Sequence, residues 1–212
     1  KTNTRTERRE EGGREGRLGG ARRRGLRVTR SARLPSSFVT ATSLATIVAD
    51  ARPEHLEAIA AIYAAAVETP ATLDLEPPSL ERWHEILRAT DPDAGNELLV
   101  ALTGGQVVGF AKSGPYKERG GYATTRETSV YVHADHRGRG VGHALYGELL
   151  ARLERAPVLL AVAGVTQPNP ASEALHRAHG FTEVGVFRGV GVKFGRTWDV
   201  RWFQRPLTPG SA

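Results

Sequence analysis

Two periodicities of apolar residues divide the chain from Ala45 onwards into predicted helices and strands. In four segments the apolar residues recur at the spacing of about 3.6 residues that places them on one face of an α-helix. These predicted helices cover residues 52–68, 80–90, 144–154 and 169–180. Short apolar runs between them predict β-strands, in ATIVADA, ELLVAL, VVGFAKSG, TSVYV, PVLLAVAG and the segment 181–207.

Residues typical of helix ends and turns support these boundaries. Pro53 and Pro170 suit the first turn of a helix, and Gly180 suits the residue just beyond a helix end. The Gly-Gly pair 104–105 lies between two apolar runs and predicts a β-hairpin. PVLLAVAG is apolar throughout and predicts a strand buried on both faces. The fold class expected is therefore mixed α/β (α+β), with a mostly antiparallel sheet flanked by helices.

The excess of basic over acidic side chains is confined to the first 44 residues of the chain. Residues 1–44 carry a net charge of +8, whereas residues 45–212 carry −2. The first segment is rich in Arg, Gly, Ser and Thr and lacks an apolar period, which predicts a disordered extension followed by one domain over 45–212. A nucleic-acid-binding arm and an organellar transit peptide are alternatives, but no aromatic residue precedes Phe38 and four Glu residues are present. The absence of methionine favours an over-extended translation start over both.

Composition excludes several classes of protein. The chain contains no cysteine, so disulfides and thiolate metal sites are excluded. It has no run of about 18 apolar residues and no signal-peptide core, so we expect neither a membrane span nor secretion. Composition does not fix the compartment, although a reducing cytoplasm is compatible with it.

A glycine-rich turn precedes the third predicted helix, in the string HRGRGVGHALY. A dinucleotide-binding fingerprint would need glycine at position 143, which is His143, and a P-loop string is absent. The remaining pattern is R-x-x-G-x-G, formed by Arg137, Gly140 and Gly142. Glycines allow close backbone approach, and a helix N-terminus offers free N–H groups to an anion. A phosphate-binding turn and a plain turn before an amphipathic helix both remain open on the motif alone.

This R-x-x-G-x-G loop resembles the coenzyme A pyrophosphate loop of the GNAT superfamily of N-acetyltransferases. Three further segments, GPYKERGGYATTRETSVYV, QPNPASEALHRAHGF and GVKFGRTWDVRWFQ, resemble the phosphinothricin acetyltransferase family. The resemblance runs in order from about residue 47 to 207. It implies the GNAT fold, a cytoplasmic homodimer, and transfer of acetyl from acetyl-CoA to the α-amino group of phosphinothricin or a related small amino acid.

The resemblance also assigns roles to residues. Glu127, just before TSVYV, matches the family's carboxylate base, and His176 matches a histidine that could act as general acid or as an alternative base. The expected coenzyme-binding residues are Val130, Tyr131, Val132, Arg137, Gly138, Arg139, Gly140, Val141, Gly142 and Asn169. The expected substrate-binding residues are Lys117, Arg119 and Tyr122, whose cations suit an anionic amino acid. Without the resemblance, Glu127 could be a solvated charge and Asn169 a simple helix cap.

Departures from the family pattern fall on the acceptor side. They are Thr124 in place of an aromatic residue, Leu73 and Leu75 in the segment TPATLDLEPP, and Phe194 in VKFG. Methionine sulfone, methionine sulfoximine and ordinary amino acids therefore remain candidate acceptors. The alternatives are acetylation of another amine or of a protein, and a non-catalytic acyl-CoA-binding module. We expect no metal, because the histidines 176 and 179 have no third ligand at a suitable spacing.

Overall fold

The computed structural model describes residues 45–208 of the chain. Within this range seven strands and four α-helices follow one another. The strands are β1 (Thr46–Asp50), β2 (Leu98–Thr103), β3 (Gln106–Pro115), β4 (Thr125–Val132), β5 (Leu160–Thr166), β6 (Thr182–Lys193) and β7 (Arg196–Pro206). The helices are α1 (Leu56–Val67), α2 (Leu80–Arg88), α3 (Val141–Leu153) and α4 (Pro170–Ala178). The predicted extension over residues 1–44 lies outside the described residues.

The strands form one sheet in the order β1-β2-β3-β4-β5-β7-β6. All neighbours are antiparallel except β4 and β5, so the predicted mixed, mostly antiparallel sheet is confirmed. The parallel pair is short: it runs from Thr125 opposite Leu160 to Glu127 opposite Val162. Beyond these residues β4 and β5 continue without pairing to each other, which opens a gap in the middle of the sheet.

Helices cover both faces of the sheet. Helices α1 and α2 pack on one face, where Trp83 and Phe110 are fully buried. Helix α3 packs on the other face through a leucine stripe, and Leu175 of α4 joins the same core. Alternate residues of β2 enter the two cores, so this strand is buried on both sides. These two cores hold β3 and β4 rigidly beside the gap.

Two strand boundaries differ from the sequence prediction. Strand β4 begins at Thr125, so Glu127 lies within the strand and not before it. The apolar pattern does not predict the first residues of β4, because they are polar. Arg126 is buried there by hydrogen bonds from its guanidinium to backbone carbonyls. Strand β5 begins only at Leu160, and Gly164 is exposed. The prediction of burial on both faces therefore fails at Leu159 and Gly164, whereas Val162 and Thr166, on the same face as Gly164, are buried.

The turn residues behave as predicted. Gly104 and Gly105 have φ angles of +59° and +79° and connect β2 to β3. Asn169 caps α4, since its side-chain Oδ1 accepts a hydrogen bond from the Ser172 N–H at 3.1 Å. Gly180, beyond the end of α4, has a φ of +80°. None of the helices in residues 45–208 has the length and apolar content that crossing a bilayer requires.

Candidate active site

The glycine-rich loop, residues 137–142, leads from the end of β4 into α3. Gly138 and Gly140 have φ angles of +71° and +82°, in the left-handed region that favours glycine. A Cβ atom added at either position would meet no atom within 4 Å, so the surface of the loop is open. Val141 is buried and fixes the first turn of α3 in the core. The first N–H groups of this 13-residue helix have no intrahelical partners, and they form a cradle that fits a phosphate.

Arginine side chains flank this cradle. The Arg137 Nε donates a hydrogen bond to the Val132 carbonyl oxygen at 3.2 Å, which ties the loop to the last residue of β4. Arg139 lies exposed on the loop. The loop therefore has one cation engaged in holding its conformation and a second cation facing solvent, where it can meet an anion.

The gap between β4 and β5 begins directly after Glu127. The His133 N–H donates to the Val108 carbonyl at 2.9 Å, which sets the alternation of hydrogen bonds between β3 and β4. By this alternation the peptide groups of Tyr131 face β3, whereas those of Val130 and Val132 face the gap. Backbone donors therefore line one side of an opening that is continuous with the glycine-rich loop.

A hydroxyl pair closes the inner end of the gap. The Thr128 Oγ1 donates to the Val162 carbonyl at 3.2 Å, and the Tyr146 hydroxyl lies 2.8 Å from the same Thr128 oxygen. Since Thr128 has a single hydrogen to donate, the Tyr146 hydroxyl is the donor in the second bond. This pair joins β4, β5 and α3 at the point where the two strands part.

Glu127 stands at that point, on the sheet face that α1 and α2 cover further along. Its neighbours across the sheet are Gly114 of β3 and Val162 of β5, neither of which fills the space above it. The carboxylate reaches solvent, but partial desolvation by its surroundings raises its pKa, and the positive charge of Lys112 opposes this rise. A carboxylate with a raised pKa is a better proton acceptor than an ordinary surface Glu.

Polar residues of the α1–α2 connection surround the same space. The Tyr63 hydroxyl donates to Asp74 Oδ2 at 2.6 Å. The Thr72 hydroxyl oxygen lies 3.1 Å from the Tyr63 hydroxyl oxygen. The buried Lys193 ammonium donates to the carbonyls of Thr69 and Thr72 at 3.0 and 2.9 Å. The tip of the β6–β7 hairpin is thereby fixed to the α1–α2 connection, and the two form a wall beside Glu127.

Sequence reasoning missed three residues around Glu127: Tyr63 and Asp74 at the wall, and Lys112 on the neighbouring strand β3. The helical spacing of apolar residues in 52–68 places the Tyr63 ring in the core, as the structure does, but gives no sign that its hydroxyl bonds to Asp74. Lys112 interrupts the apolar run VVGFAKSG, and a charged residue within a predicted buried strand was the available signal.

The predicted substrate loop lies at the other side of Glu127. The Lys117 ammonium lies 5.0 Å from the centre of the Tyr116 ring and 5.6 Å from that of Tyr122. Arg119 is exposed at the start of a short 3₁₀ turn. Tyr116 and Tyr122 also line an apolar cavity of about 450 Å³ with Thr125, Val162 and Trp202. Thr125 and Val162 border Glu127, so the loop, the cavity and the carboxylate are neighbours.

His176 lies away from Glu127, on the α3 face of the sheet. Its ring is buried against Tyr146, Phe181 and Phe203. Its Nδ1 is 2.7 Å from the Ser172 carbonyl oxygen, and because a carbonyl only accepts, the proton is on Nδ1. Burial lowers the pKa of His176, so the imidazole is neutral near pH 7. The structure does not bring the two residues together as a pair on one face.

The histidines do not assemble a metal site in the described range. His179 pairs with His143, with 3.2 Å between Nε2 and Nδ1, and not with His176. Over residues 45–208 no three His, Asp or Glu side chains converge in a way that could hold a metal ion.

The fold and the site together define a class of protein by three features: an open glycine-rich loop at the start of α3, a pair of parallel strands that part, and a carboxylate at the closed end of the gap between them. Residues 57–181 match the model of the Acetyltransferase (GNAT) family. The chain is 44% identical over 142 residues to a phosphinothricin N-acetyltransferase of Streptomyces coelicolor, across 66% of this chain and 83% of that protein.

Two further comparisons agree. The chain is 34% identical to an L-methionine sulfoximine/L-methionine sulfone acetyltransferase of Salmonella typhimurium, across 72% of this chain and 86% of that protein. A GNAT superfamily phosphinothricin acetyltransferase of Sinorhizobium meliloti, solved in complex with AcCoA, superposes with a TM-score of 0.72 at 33% identity. That match covers 78% of this chain and 90% of the solved one. The chain belongs to the GNAT family of acetyltransferases, which confirms the resemblance and the fold class expected from its motifs.

Proposed function

We propose that the protein transfers acetyl from acetyl-CoA to the α-amino group of phosphinothricin or of a related small amino acid such as methionine sulfone or methionine sulfoximine. One observation carries the proposal: a carboxylate with a raised pKa stands where β4 and β5 part, at the end of a gap lined by backbone donors. The relatives named for phosphinothricin and for the methionine derivatives support this choice of acceptor.

The chain fits acetyl-CoA at two places. The open cradle of Gly138 and Gly140, with the N–H groups of α3 and the cation of Arg139, suits the pyrophosphate. The peptide groups of Val130 and Val132 face the gap and suit the pantetheine arm. Tyr131, expected to take part, has its peptide groups toward β3 and its ring against Tyr63 and Phe110, so its contribution is to the wall of the site.

The reaction needs a base and a donor for the carbonyl oxygen. An α-amino group, with a pKa of about 8 in peptides, is largely protonated at neutral pH, and Glu127 accepts its proton. Acetyl-CoA supplies an electrophilic thioester carbon to the freed amine. N–H groups of β4 at the gap would polarise the thioester oxygen as the C–N bond forms. The C–S bond then breaks, and the coenzyme leaves as a thiolate that takes up the proton released by the new amide nitrogen.

His176 has a narrower role in this proposal. A neutral imidazole whose only N–H group already donates to the Ser172 carbonyl is a poor proton donor for a thiolate. We therefore favour a positioning role, in which His176 and Tyr146 pack together and hold the Thr128 hydroxyl pair at the gap. Asn169 acts as the cap of α4 and can meet the coenzyme only with its remaining hydrogen-bonding groups.

The proposal extends to assembly and location. Strand β6 exposes Val184, Phe187, Val190 and Val192 to solvent, and a second copy of the chain in a homodimer would cover them. Acetyl-CoA is supplied in the cytoplasm, where we place the protein.

The decisive experiment measures free thiol released from acetyl-CoA by the purified protein. The acceptors are phosphinothricin, methionine sulfone, methionine sulfoximine, the common amino acids and one lysine peptide. Release that depends on phosphinothricin or a methionine derivative is the expected result. Release with the lysine peptide alone, or binding of acetyl-CoA without release in any mixture, would contradict the proposal.

A further inference from the structure

Lys112 is a lysine in an unusual position. It lies in the middle of β3 and projects from the same sheet face as Phe110, with Ser129 of β4 as its cross-strand partner. Glu127 is two residues from Ser129 along β4 and therefore lies diagonally across from Lys112 on the same face. Diagonal neighbours are about 7–8 Å apart at their Cα atoms, within the reach of long side chains.

The Lys112 ammonium has no protein partner among the described residues. No oxygen in the range 45–208 is close enough to it for a hydrogen bond or an ion pair, although the side chain is half-buried. Lys193, the other lysine in the site wall, donates to two carbonyls. The Lys112 ammonium is not sealed from solvent, since it is absent from the unpartnered polar atoms that the described residues enclose. It is therefore a cation held at the edge of the cleft with its donors unused.

The charges around Lys112 define what it can bind. Burial lowers its pKa, while the carboxylates of Glu127 and Asp74 support the charged form. Arg82 also faces this region and opposes that charge. Lys112 and Glu127 thus face the same space with opposite charges, close enough to act on each other but too far apart to form an ion pair.

We propose that Lys112 binds the α-carboxylate of the acceptor amino acid while Glu127 receives the proton of its α-amine. The inference rests on the proposed function. An α-amino acid carries its two charged groups on one carbon, so an amine at Glu127 turns the carboxylate toward Lys112. A charge-assisted hydrogen bond then satisfies the ammonium that the protein leaves unpartnered. Lys112 is accordingly a residue that selects free amino acids over amides and over peptide N-termini.

The test compares an acid with its amide. Wild-type protein and Lys112→Met are assayed with L-methionine sulfone and phosphinothricin, and with the α-carboxamide of each. The wild type should prefer the acid, and Lys112→Met should lose about ten- to a hundredfold in kcat/KM for the acid, mainly through KM. Its kcat/KM for the amide should fall much less than that for the acid, because the amide has no carboxylate to lose and shares with the acid only the effect of the lost charge on the pKa of Glu127.

Two controls separate the explanations. Lys112→Gln gives a second neutral variant in case the methionine variant folds poorly, and the Kd for acetyl-CoA of each variant should match that of the wild type. Equal losses for acid and amide in a folded variant, or a wild type that does not distinguish them, would overturn the role of Lys112 alone. A wild type that binds acetyl-CoA but acetylates neither acids nor amides would instead overturn the proposed function, and the role of Lys112 with it.

Discussion

At the scale of single residues, the chemistry of the site depends on how burial changes charge. Glu127 and His176 were both expected from the resemblance, yet only the structure separates their environments. Glu127 reaches the cleft with a raised pKa, whereas His176 is enclosed by aromatic rings with a lowered one. The sequence alone could not show this, because the residues that desolvate a side chain come from other elements. The same holds for Lys112, whose neighbour Glu127 is on another strand.

Replacing Glu127 by Gln should lower kcat/KM by about 100- to 10,000-fold, the usual contribution of a positioned base. Because the carboxylate must be ionised, wild-type activity should rise with pH as Glu127 titrates, above the ordinary pKa of Glu. The variant should lose this rise and keep the wild-type affinity for acetyl-CoA. Thiol release measured across pH and calorimetric titration of acetyl-CoA give the two readouts. An unchanged kcat/KM in the variant would remove Glu127 as the base.

His176 should make the fold sensitive to acid. Its folded pKa lies below the unfolded value of about 6.5, so only the unfolded chain binds the proton as the pH first falls below 6.5. The free energy of unfolding then decreases toward low pH, by at most about 1.4 kcal/mol per pH unit for one proton. Above pH 6.5 the histidine is neutral in both states, so none of this stability is lost there. His176→Leu should show a shallower loss between pH 6.5 and 5 in urea unfolding. A slope identical to that of the wild type would show that His176 titrates alike in both states.

At the scale of elements, the period of apolar residues located the four helices and the first five strands, but it left β6 and β7 undivided in one segment and misplaced the ends that polar contacts determine. The start of β4 is an example: Thr125, Arg126 and Glu127 read as a loop, but the carbonyls of Ala94 and Ala123 hold Arg126 in the strand. The turn and cap glycines were predicted correctly, because a positive φ angle by itself restricts which residue types a position accepts. The parting of β4 and β5 had no local signal, since it depends on pairing between strands far apart in sequence.

The glycine-rich loop offers a test at this scale. Gly138→Ala should raise the Kd for acetyl-CoA at least about fivefold, because a left-handed backbone disfavours alanine and a Cβ would stand on the open ligand-facing surface. Gly105→Ala is the matched control: Gly105 also has a positive φ and an open Cβ position, but it lies in the β2–β3 turn. Both variants should lose similar stability, roughly 1–2 kcal/mol. Equal Kd values in calorimetry would show that the loop does not hold the coenzyme.

At the scale of the whole molecule, the two sheet edges differ in how much apolar surface they leave uncovered. Strand β1 exposes Ile47, whereas β6 exposes four large apolar side chains, of which Val184 and Phe187 line the apolar cavity. The alternation of apolar residues predicted strands in this region but could not show that no helix of residues 45–208 covers them. Since α1 and α2 pack over β2 and β3, the face over β5, β7 and β6 is available to another protein surface.

If a second copy covers that face, the protein is a dimer whose stability depends on β6. Val184→Asp, at a position that lines the cavity on this face, should shift the mass measured by light scattering toward the monomer, since a buried carboxylate at the interface would lack a partner. Ile47→Asp places the same charge on a similarly exposed position of the opposite edge, with 63% exposure against 60%, and should leave the mass unchanged. A monomer in the wild type at micromolar concentration would contradict the dimer, as would equal effects of the two substitutions. Because the β6–β7 hairpin also fixes the α1–α2 connection through Lys193, loss of the dimer should in addition raise KM for the acceptor more than KM for acetyl-CoA.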